Sequence, residues 1–431
     1  MRRVALFVAL CLFFFSCKKQ TEEVVVVTPP ATSMQIKIDQ VINDSTIALK
    51  WTKSSSGSFQ KYKLARNATY VKAGSFASFN EPIDSSSDIN HLAFTEKAMP
   101  MARDIYYDLY VSTDTTQYNR GYRLMARVYY QRPNSLLYAV PTDVLMDQQQ
   151  QKIYITEQNR ITIIDYNTRI VASKDFDVSF GYCSLGDFNG SKELYVPIND
   201  GWLQILDATT LQLKDRIYVA GYAIGSVVVS NGKLYISSSD MSGGGYNNCI
   251  KVYDRATKDF IGRTGFWDRT RLLQLEGSNV EMIDLTINLM PIDLSYYQFS
   301  PAGVPLVRKQ DSYHGDYLMD ANIARSFPDG SKFITSASGT IFNKSLTFDR
   351  YLKQNGSYCD FAFNTDGSLI YAANASQKKI DVITYPGTTN TGSLSTAFYP
   401  YKIFRDGNTL VCICKANSQQ SACIQVEKIN L

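Results

Sequence analysis

The sequence predicts an all-β protein of two domains, in which a sandwich of two sheets precedes a closed ring of repeated sheets. Three observations lead to this expectation. Short alternating strands separated by polar turns fill the chain, and no long helical period occurs. Tyr and Phe, which favour strands, number 29 and 22. The part of the chain after about residue 135 repeats itself at a nearly constant interval.

Residues 1–17 have the layout of an export signal. Arg2 and Arg3 precede an apolar run of 12 residues that is too short to span a bilayer, and Ser16 lies directly before Cys17. The Phe-Phe-Ser-Cys ending resembles a lipobox, which implies that Cys17 is acylated and becomes the mature N-terminus. We therefore expect an exported outer-membrane lipoprotein, on the cell surface or the periplasmic face, that meets the membrane only through its lipid. A soluble secreted protein is the first alternative, and a membrane helix is the second.

The composition of the chain beyond the signal limits its organisation and its partners. Residues 18–33 contain Pro29 and Pro30 and no amphipathic period, which is typical of a flexible tether. The roughly 400 residues beyond it exceed what one hydrophobic core usually serves, so two domains are expected. The net charge of +4 is spread along the chain, and without a basic block we expect no nucleic-acid partner. We expect a monomer.

Residues 34–132 have the pattern of a β-sandwich, with short alternating runs between polar turns. Six candidate strands span residues 34–41, 46–53, 62–67, 91–97, 104–113 and 122–131. Their order and spacing resemble a fibronectin type III domain. In that resemblance Trp51 matches the core tryptophan of the second strand, and Tyr106 or Tyr107 matches the aromatic of the penultimate strand. A large aromatic there fills the gap between two sheets. The resemblance implies a spacer or an adhesive module.

Two recurring units define the second domain, residues 135–431. One is an apolar strand, an Asn-Gly or Asp-Gly turn and a second apolar strand, which predicts a β-hairpin. The other is an apolar pair followed by Asp, two variable residues and Thr, in which Asp accepts hydrogen bonds from turn amides. This second unit has its Asp at Asp165, Asp207 and Asp254. The first residue after each hairpin turn serves as a marker, and the markers are Ile153, Leu194, Leu234, Met282, Phe333, Leu369 and Leu410.

The markers lie 36 to 51 residues apart, which matches the length of a β-propeller blade and predicts seven blades. The last repeat supplies only three strands, and an isolated strand at 135–141 precedes the first repeat. If that strand completes the last blade, the ring closes without an open edge. Leu137 should then lie beside the strand that runs from Ile424 to Glu427. The repeats resemble the YVTN type of propeller, although the segments around Met282 and Phe333 depart from the pattern.

Sequence motifs give little support for catalysis. The chain has two histidines and no nucleophile elbow, zinc-protease helix, phosphate-binding glycine loop or EF-hand loop. We therefore expect no metal and no cofactor. Cys414 and Cys423 flank a short polar loop, which makes one disulfide plausible in an oxidising compartment. The other four cysteines after Cys17 lie in apolar strands and are expected to be buried free thiols.

Binding is favoured over catalysis by the loops that share one face of a propeller, namely those joining second to third strands and one blade to the next. Aromatic side chains beside Asp, Asn and Arg on such a face suit a glycan or a protein ligand. The candidate ligand-binding residues are Trp202, Tyr222, Tyr246, Trp267, Asp268, Arg269, Tyr313 and His314. Some of these aromatics could simply pack loops against the blades. Two other functions stay open: an enzyme of the lactonase or quinoprotein type found among such propellers, and a structural scaffold of an envelope complex.

Overall fold

The computed structural model describes residues 34–43, 45–72, 75–113, 121–132, 137–219, 223–238, 248–277, 280–287, 289–313, 315–416 and 423–431. Within these ranges the chain forms 35 β-strands, and no residue is helical. The prediction of an all-β protein is therefore confirmed. Among the described residues there is no helix that could span a membrane.

The first seven strands form the N-terminal unit, residues 34–132. They are β1 (Ile36–Asn43), β2 (Thr46–Trp51), β3 (Phe59–Lys72), β4 (Ser75–Ser86), β5 (Ala93–Glu96), β6 (Asp104–Thr113) and β7 (Arg123–Gln131). One sheet has the order β1-β2-β5 and the other has the order β4-β3-β6-β7, with every neighbouring pair antiparallel. Both sheets contribute to a single hydrophobic core.

The core of the N-terminal unit contains the aromatic residues that the sequence singled out. Trp51 is buried at the end of β2, and its ring packs edge-on against Tyr62 from the other sheet. Of the two tyrosines proposed on the penultimate strand, Tyr107 is fully buried and Tyr106 points outward. The Tyr107 hydroxyl donates a hydrogen bond to the buried Glu96 carboxylate at 2.7 Å, and Arg66 forms an ion pair with the same carboxylate.

Strand β4 was not among the six strands expected from the sequence. Its segment is rich in Ser and contains Pro82, both of which disfavour a strand assignment. The structure tolerates Pro82 because β4 is an edge strand, and because the pairing with β3 shifts by one residue between Leu64 and Ala65.

The remaining strands form seven four-stranded antiparallel sheets, numbered in chain order. A two-residue strand, β8 (Leu137–Tyr138), precedes sheet 1. Sheet 1 contains β9 (Asp143–Asp147), β10 (Lys152–Thr156), β11 (Arg160–Asp165) and β12 (Ile170–Asp175); sheet 2 contains β13 (Ser184–Phe188), β14 (Ser191–Pro197), β15 (Trp202–Asp207) and β16 (Leu213–Tyr218); sheet 3 contains β17 (Ile224–Ser230), β18 (Lys233–Ser238), β19 (Ile250–Asp254) and β20 (Phe260–Thr264). Sheet 4 contains β21 (Thr270–Gln274), β22 (Val280–Thr286), β23 (Leu294–Phe299) and β24 (Pro305–Gln310); sheet 5 contains β25 (Ala324–Ser326), β26 (Lys332–Thr335), β27 (Thr340–Asn343) and β28 (Phe348–Tyr351); sheet 6 contains β29 (Tyr358–Phe363), β30 (Leu369–Asn374), β31 (Lys379–Thr384) and β32 (Asn390–Ser395); sheet 7 contains β33 (Tyr399–Asp406), β34 (Thr409–Lys415), β35 (Cys423–Asn430) and β8.

All seven sequence markers lie on the second strand of a sheet. Successive side chains of a strand point to opposite faces, so a second strand can fill two cores. Leu234 packs in the core shared with sheet 2, while the next residue, Tyr235, packs in the core shared with sheet 4. The two atypical segments, around Met282 and Phe333, also form complete four-stranded sheets.

Seven hydrophobic cores join neighbouring sheets around the ring. The last of them links sheet 7 back to sheet 1, with Val411 and Ile413 against Val144 and Ile153. In the same core Leu137 pairs with Ile424 across β8 and β35, which confirms the predicted closing strand. A closed series of four-stranded sheets joined in this way is consistent with a β-propeller.

The turns between third and fourth strands have the structure that the repeated Asp predicts. The Oδ1 atom of Asp207 accepts hydrogen bonds from the backbone amides of Thr209 and Thr210 at 2.9 and 2.8 Å. Asp254 accepts two turn amides in the same way, from Ala256 and Thr257. The repeated Asp therefore stabilises the fold at each of these turns.

The N-terminal unit contacts the ring next to the closing strand. The Tyr138 hydroxyl donates a hydrogen bond to the carbonyl oxygen of Thr69 at 3.0 Å. Met101 packs against the core between sheets 6 and 7. The Cys423 thiol lies 3.6 Å from the Met101 carbonyl oxygen. The two-residue strand β8 therefore contacts both parts of the molecule.

Candidate functional site

Five charged side chains meet at the centre of the ring, and we call them the axial cluster. They lie on the first strands of sheets 1, 4, 5, 6 and 7, and they are Asp143, Arg271, Arg325, Asp360 and Lys402. Asp143 and Arg271 are 128 positions apart and come from sheets that are not neighbours, yet they form an ion pair at 2.8 Å. First strands must therefore line a common axis.

The axial cluster is held by short polar contacts. Arg325 donates two hydrogen bonds to the Asp360 carboxylate at 2.9 and 2.6 Å. Asp360 also accepts the backbone amide of Ile403 at 2.9 Å. Lys402 lies 3.8 Å from Asp143 and donates to the Asn322 carbonyl oxygen at 2.9 Å. The contacts form two groups, Asp143 with Arg271 and Lys402, and Asp360 with Arg325, which meet where Asp360 accepts the amide of the residue after Lys402.

The burial of these groups shifts their proton affinities. Burial alone would raise the pKa of Asp143, but Arg271 and Lys402 hold it below its ordinary value. Burial lowers the pKa of Lys402, and the carboxylates of Asp360 and Asp143 oppose that shift. The opposite charges thus offset part of the cost of burying one another.

An upper cavity of about 270 Å³ opens on one side of the axial cluster. We call this side the upper face; the connections between second and third strands and between successive sheets lie on it, as expected for the ligand face. The residues that line the cavity are Ser179, Phe180, Gly181, Tyr182, Asn199, Ile224, Gly225, Ser238, Arg269 and Ile287. It combines aromatic, hydroxyl, amide and guanidinium groups at one opening.

Tyr182 connects the upper cavity to the axial cluster. Its hydroxyl donates a hydrogen bond to the Asn322 side chain, and the Arg271 guanidinium lies 4.2 Å from its ring centroid. Its backbone amide and carbonyl bond to Gly225 and Val227 of the next sheet at 2.9 and 3.2 Å. Because these contacts come from three sheets, the Tyr182 ring is held in one position.

Gly181 permits that close approach between sheets. A Cβ atom at residue 181 would lie 1.9 Å from the Gly225 carbonyl oxygen, which is far inside van der Waals contact. Only glycine fits there without movement of the backbone, and this position shapes one wall of the upper cavity.

A second, lower cavity of about 520 Å³ lies on the opposite face. Its lining includes Arg325 of the axial cluster, the rings of Phe363 and Phe404, and Arg405. The Arg405 guanidinium donates to Thr365 Oγ1 at 2.7 Å. The two cavities therefore lie on opposite faces of the ring, the upper one at Tyr182 and the lower one at Arg325.

The sequence-predicted ligand residues do not all meet in one place. Arg269 lines the upper cavity. Trp202 lies instead beside Tyr218, with ring centroids 5.0 Å apart, and under the Arg216 guanidinium at 4.4 Å from its ring. Trp202 thus belongs to a separate aromatic contact at the start of β15.

Trp267 and Asp268 precede Arg269 in the segment that enters sheet 4. The Trp267 carbonyl accepts a hydrogen bond from the Cys249 thiol. Burial raises the pKa of that thiol, and the charges of Asp284 and Asp268 add to the effect. Trp267 and Asp268 therefore lie against the interior of sheets 3 and 4, next to the cavity residue Arg269.

Tyr313 packs a loop against the sheets. This is the role that the sequence left open as an alternative to ligand binding. Its ring packs against Tyr317 and Phe342, and its hydroxyl accepts the Phe348 amide at 2.8 Å. Its place between sheets 4 and 5 does not support ligand contact.

The remaining predicted residues lie outside the described residues. They are the ligand candidates Tyr222, Tyr246 and His314 and the lipidation residue Cys17.

Cys414 and Cys423 are both buried, and the structure shows no disulfide between them. They lie on neighbouring strands, but the register places Gln425 opposite Cys414 and Tyr138 opposite Cys423. This offset of two residues does not support the expected disulfide, because cysteines that bridge adjacent strands need closely facing Cβ atoms.

The axial cluster was missed by the sequence reasoning, which searched the loops. The available signal was weak. Each cluster residue is a charged residue on a first strand, but β9 also contains Asp147, and β33 also contains Arg405 and Asp406.

A second buried polar group lies in sheet 4, below the segment that ends at Arg269. Asp284 is fully buried, and its Oδ2 accepts the Tyr297 hydroxyl at 3.1 Å. Its Oδ1 has no hydrogen-bond partner among the described residues. Burial raises the pKa of Asp284 to about 7, against the opposing effects of the neighbouring Ser295 and Tyr297. Burial also raises the pKa of the nearby Asp311 to about 6.

Among the described residues, no group of three or more His, Cys, Asp or Glu side chains is placed to hold a metal ion.

Comparisons with known proteins add little beyond this geometry. No protein-family model matches the chain, and no curated protein matches it. Among solved structures, the chain is similar to the hydrazine synthase of Kuenenia stuttgartiensis, with 15% identity and a TM-score of 0.48. The match covers 68% of this chain and 96% of that one. At this level of similarity the match supports no conclusion about function.

Proposed function

We propose that the protein is an envelope lipoprotein that binds a sugar-containing ligand in the upper cavity. In this proposal Cys17 carries the lipid, and the N-terminal unit is a fibronectin-type-III-like spacer. The ring is a seven-bladed propeller of YVTN type. The observation that carries the proposal is the lining of the upper cavity, where Tyr182 and Arg269 lie beside an amide and two hydroxyls.

The fold supports this assignment of domains. The N-terminal unit has one sheet of its first, second and fifth strands and another sheet in the order 4-3-6-7. A fibronectin-type-III-like sandwich requires this arrangement. Trp51 and Tyr107 occupy the core that the two sheets share. The closed set of seven sheets fits a seven-bladed propeller.

The chemistry of the upper cavity supports a sugar over a flat protein surface. The cavity is concave and of a size near the lower end of small-ligand sites. Aromatic planes contact the C–H face of a sugar ring, while amide, hydroxyl and guanidinium groups bind its polar edge. Tyr182 is fixed by contacts from three sheets, so little conformational freedom is lost when a ligand binds.

A glycan array with the purified chain, followed by titration calorimetry of the best glycan, tests the proposal. Tyr182→Ala and Arg269→Ala should each weaken binding about tenfold, since each removes roughly one such contact. Phe260→Ala is the control, because Phe260 is 52% exposed on the fourth strand of sheet 3, away from the cavity. Unchanged affinity in both cavity variants, or capture of an envelope protein in place of any glycan, would contradict the proposal.

The anchor has its own test. A Cys17→Ala variant should lose acyl label and leave the membrane fraction. Retention of both would refute lipidation at Cys17.

For an enzyme of lactonase or quinoprotein type, metal and mass analysis of the purified protein would reveal a bound metal or cofactor. No specific contact among the described residues favours that alternative, because the axial carboxylates are bound in ion pairs.

A further inference from the structure

The outer face of the β4-β3-β6-β7 sheet contains a row of four side chains that crosses every strand at one level. Asn80 lies opposite Asn67, Asn67 opposite Tyr106, and Tyr106 opposite Tyr129. Neighbouring residues such as Tyr107 point into the core, so these four point away from it. We call these four residues the tyrosine row.

The two rings of the tyrosine row form an exposed aromatic surface. Tyr106 and Tyr129 are 40% and 43% exposed. Their ring centroids are 5.0 Å apart, with an angle of 32° between the planes. Two adjacent aromatic rings on an outer face offer an apolar surface against which a ligand can pack.

The polar groups around the tyrosine row are close to neutral overall. Asp108 lies next to the tyrosine row. Arg127 donates two hydrogen bonds to the Asp108 carboxylate, at 2.5 and 2.9 Å. The Asn67 amide also donates to Asp108, at 2.6 Å. Asp104 accepts the Tyr129 hydroxyl and lies 4.0 Å from the Arg103 guanidinium. Neither an anionic nor a cationic ligand is therefore favoured by the net charge.

A cavity of about 440 Å³ lies beside the tyrosine row and gives it a wall. Its lining includes Asn67, Asn80 and Tyr106 from the row, together with Phe79 and Tyr138. Tyr138 belongs to the closing strand of the ring, and its hydroxyl is bonded to the Thr69 carbonyl. The wall is therefore fixed by the contact between the N-terminal unit and the ring.

We propose that the tyrosine row binds a neutral oligosaccharide. The Tyr106 and Tyr129 rings stack on the C–H faces of sugar rings, and the Asn67 and Asn80 amides hydrogen-bond to hydroxyls. Four strands at the usual spacing make the row about 14 Å long, which suits several linked sugars better than a single one. This site is separate from the upper cavity and does not depend on it.

Titration calorimetry with the full chain tests this inference, with neutral hexasaccharides of glucose, mannose and xylose as probes and a hexauronate as the charged comparison. We expect saturable binding of at least one neutral probe. The Tyr106→Ala/Tyr129→Ala double variant should bind it at least tenfold more weakly. Tyr106→Phe should bind normally, because it keeps the ring, and Phe260→Ala is the control for loss of an exposed aromatic.

The same titrations separate this site from the upper cavity. Tyr182→Ala should leave the affinity of the tyrosine row unchanged, whereas Asn67→Ala, at a partly exposed position, should weaken it. The inference is overturned if no neutral probe binds, if only the hexauronate binds, or if the double variant binds as tightly as the unmodified chain.

Discussion

Asp284 provides the sharpest test of the interior of the ring. Its carboxyl is completely buried in sheet 4, and one of its oxygens has no hydrogen-bond partner among the described residues. The substitution Asp284→Asn replaces it with a neutral group of nearly the same shape. The Asn carbonyl can still accept the Tyr297 hydroxyl, so the change removes the charge and keeps that contact.

The direction of the effect follows from the raised pKa of Asp284, about 7 in the fold against 3.8 for an ordinary aspartate. As pH rises from about 4 to 7, the unfolded chain releases this proton while the folded chain keeps it. The folded state is therefore destabilised across that window and reaches a constant penalty above pH 7. A shift of about three pKa units corresponds to a penalty of about 4 kcal/mol at most.

Urea unfolding of both proteins at pH 4.5 and pH 8 measures the penalty. We expect Asp284→Asn to match the unmodified chain at the lower pH and to exceed its unfolding free energy by a few kcal/mol at the higher pH, on the order of the shift above. Asp259→Asn is the control, because it removes one exposed carboxylate from the neighbouring sheet. The gain in unfolding free energy of Asp284→Asn over the unmodified chain should grow between pH 4.5 and pH 8. A gain that stays constant between these pH values would refute the raised pKa of Asp284.

Three further predictions concern the ring. Asp143→Ala should lower the unfolding free energy by about 3 to 5 kcal/mol, because it leaves Arg271 and Lys402 buried without their carboxylate; a loss under about 1 kcal/mol in urea unfolding would contradict this. Asp207→Ala should cost about 1 kcal/mol, since two turn amides lose their acceptor, and an unchanged melting curve would argue against a role for this turn. Gly181→Ala should weaken ligand binding in the upper cavity, because its Cβ would lie 1.9 Å from a backbone oxygen; calorimetry showing full affinity would contradict the role of this glycine.

The repeats were predictable because their information is local. A hairpin turn, its flanking apolar strands and the Asp of the next turn all lie within one four-stranded sheet, so Leu234 and Asp254 could be placed from sequence alone. The closing strand was also predictable, because an open edge in the last sheet required a partner and Leu137 was available.

The candidate site was harder to predict because it depends on distant residues. Asp143 bonds to a guanidinium 128 positions away, and no local pattern joins the two. The loop aromatics were a poorer guide, since Tyr313 fills the space between two sheets. The structure does not support the predicted disulfide between Cys414 and Cys423 for a related reason. The prediction used the length of the loop between them, but loop length does not determine the register, which offsets the two cysteines by two residues.

The closing strand β8 explains how the ring and the N-terminal unit come to share a boundary. Successive side chains of a strand point to opposite sides, so Leu137 enters the core between sheets 7 and 1 while Tyr138 faces outward. Tyr138 then bonds to Thr69 and forms one wall of the cavity beside the tyrosine row. The strand that removes the open edge of the ring therefore also positions the N-terminal unit. A ligand bound along the tyrosine row would contact both domains at that point.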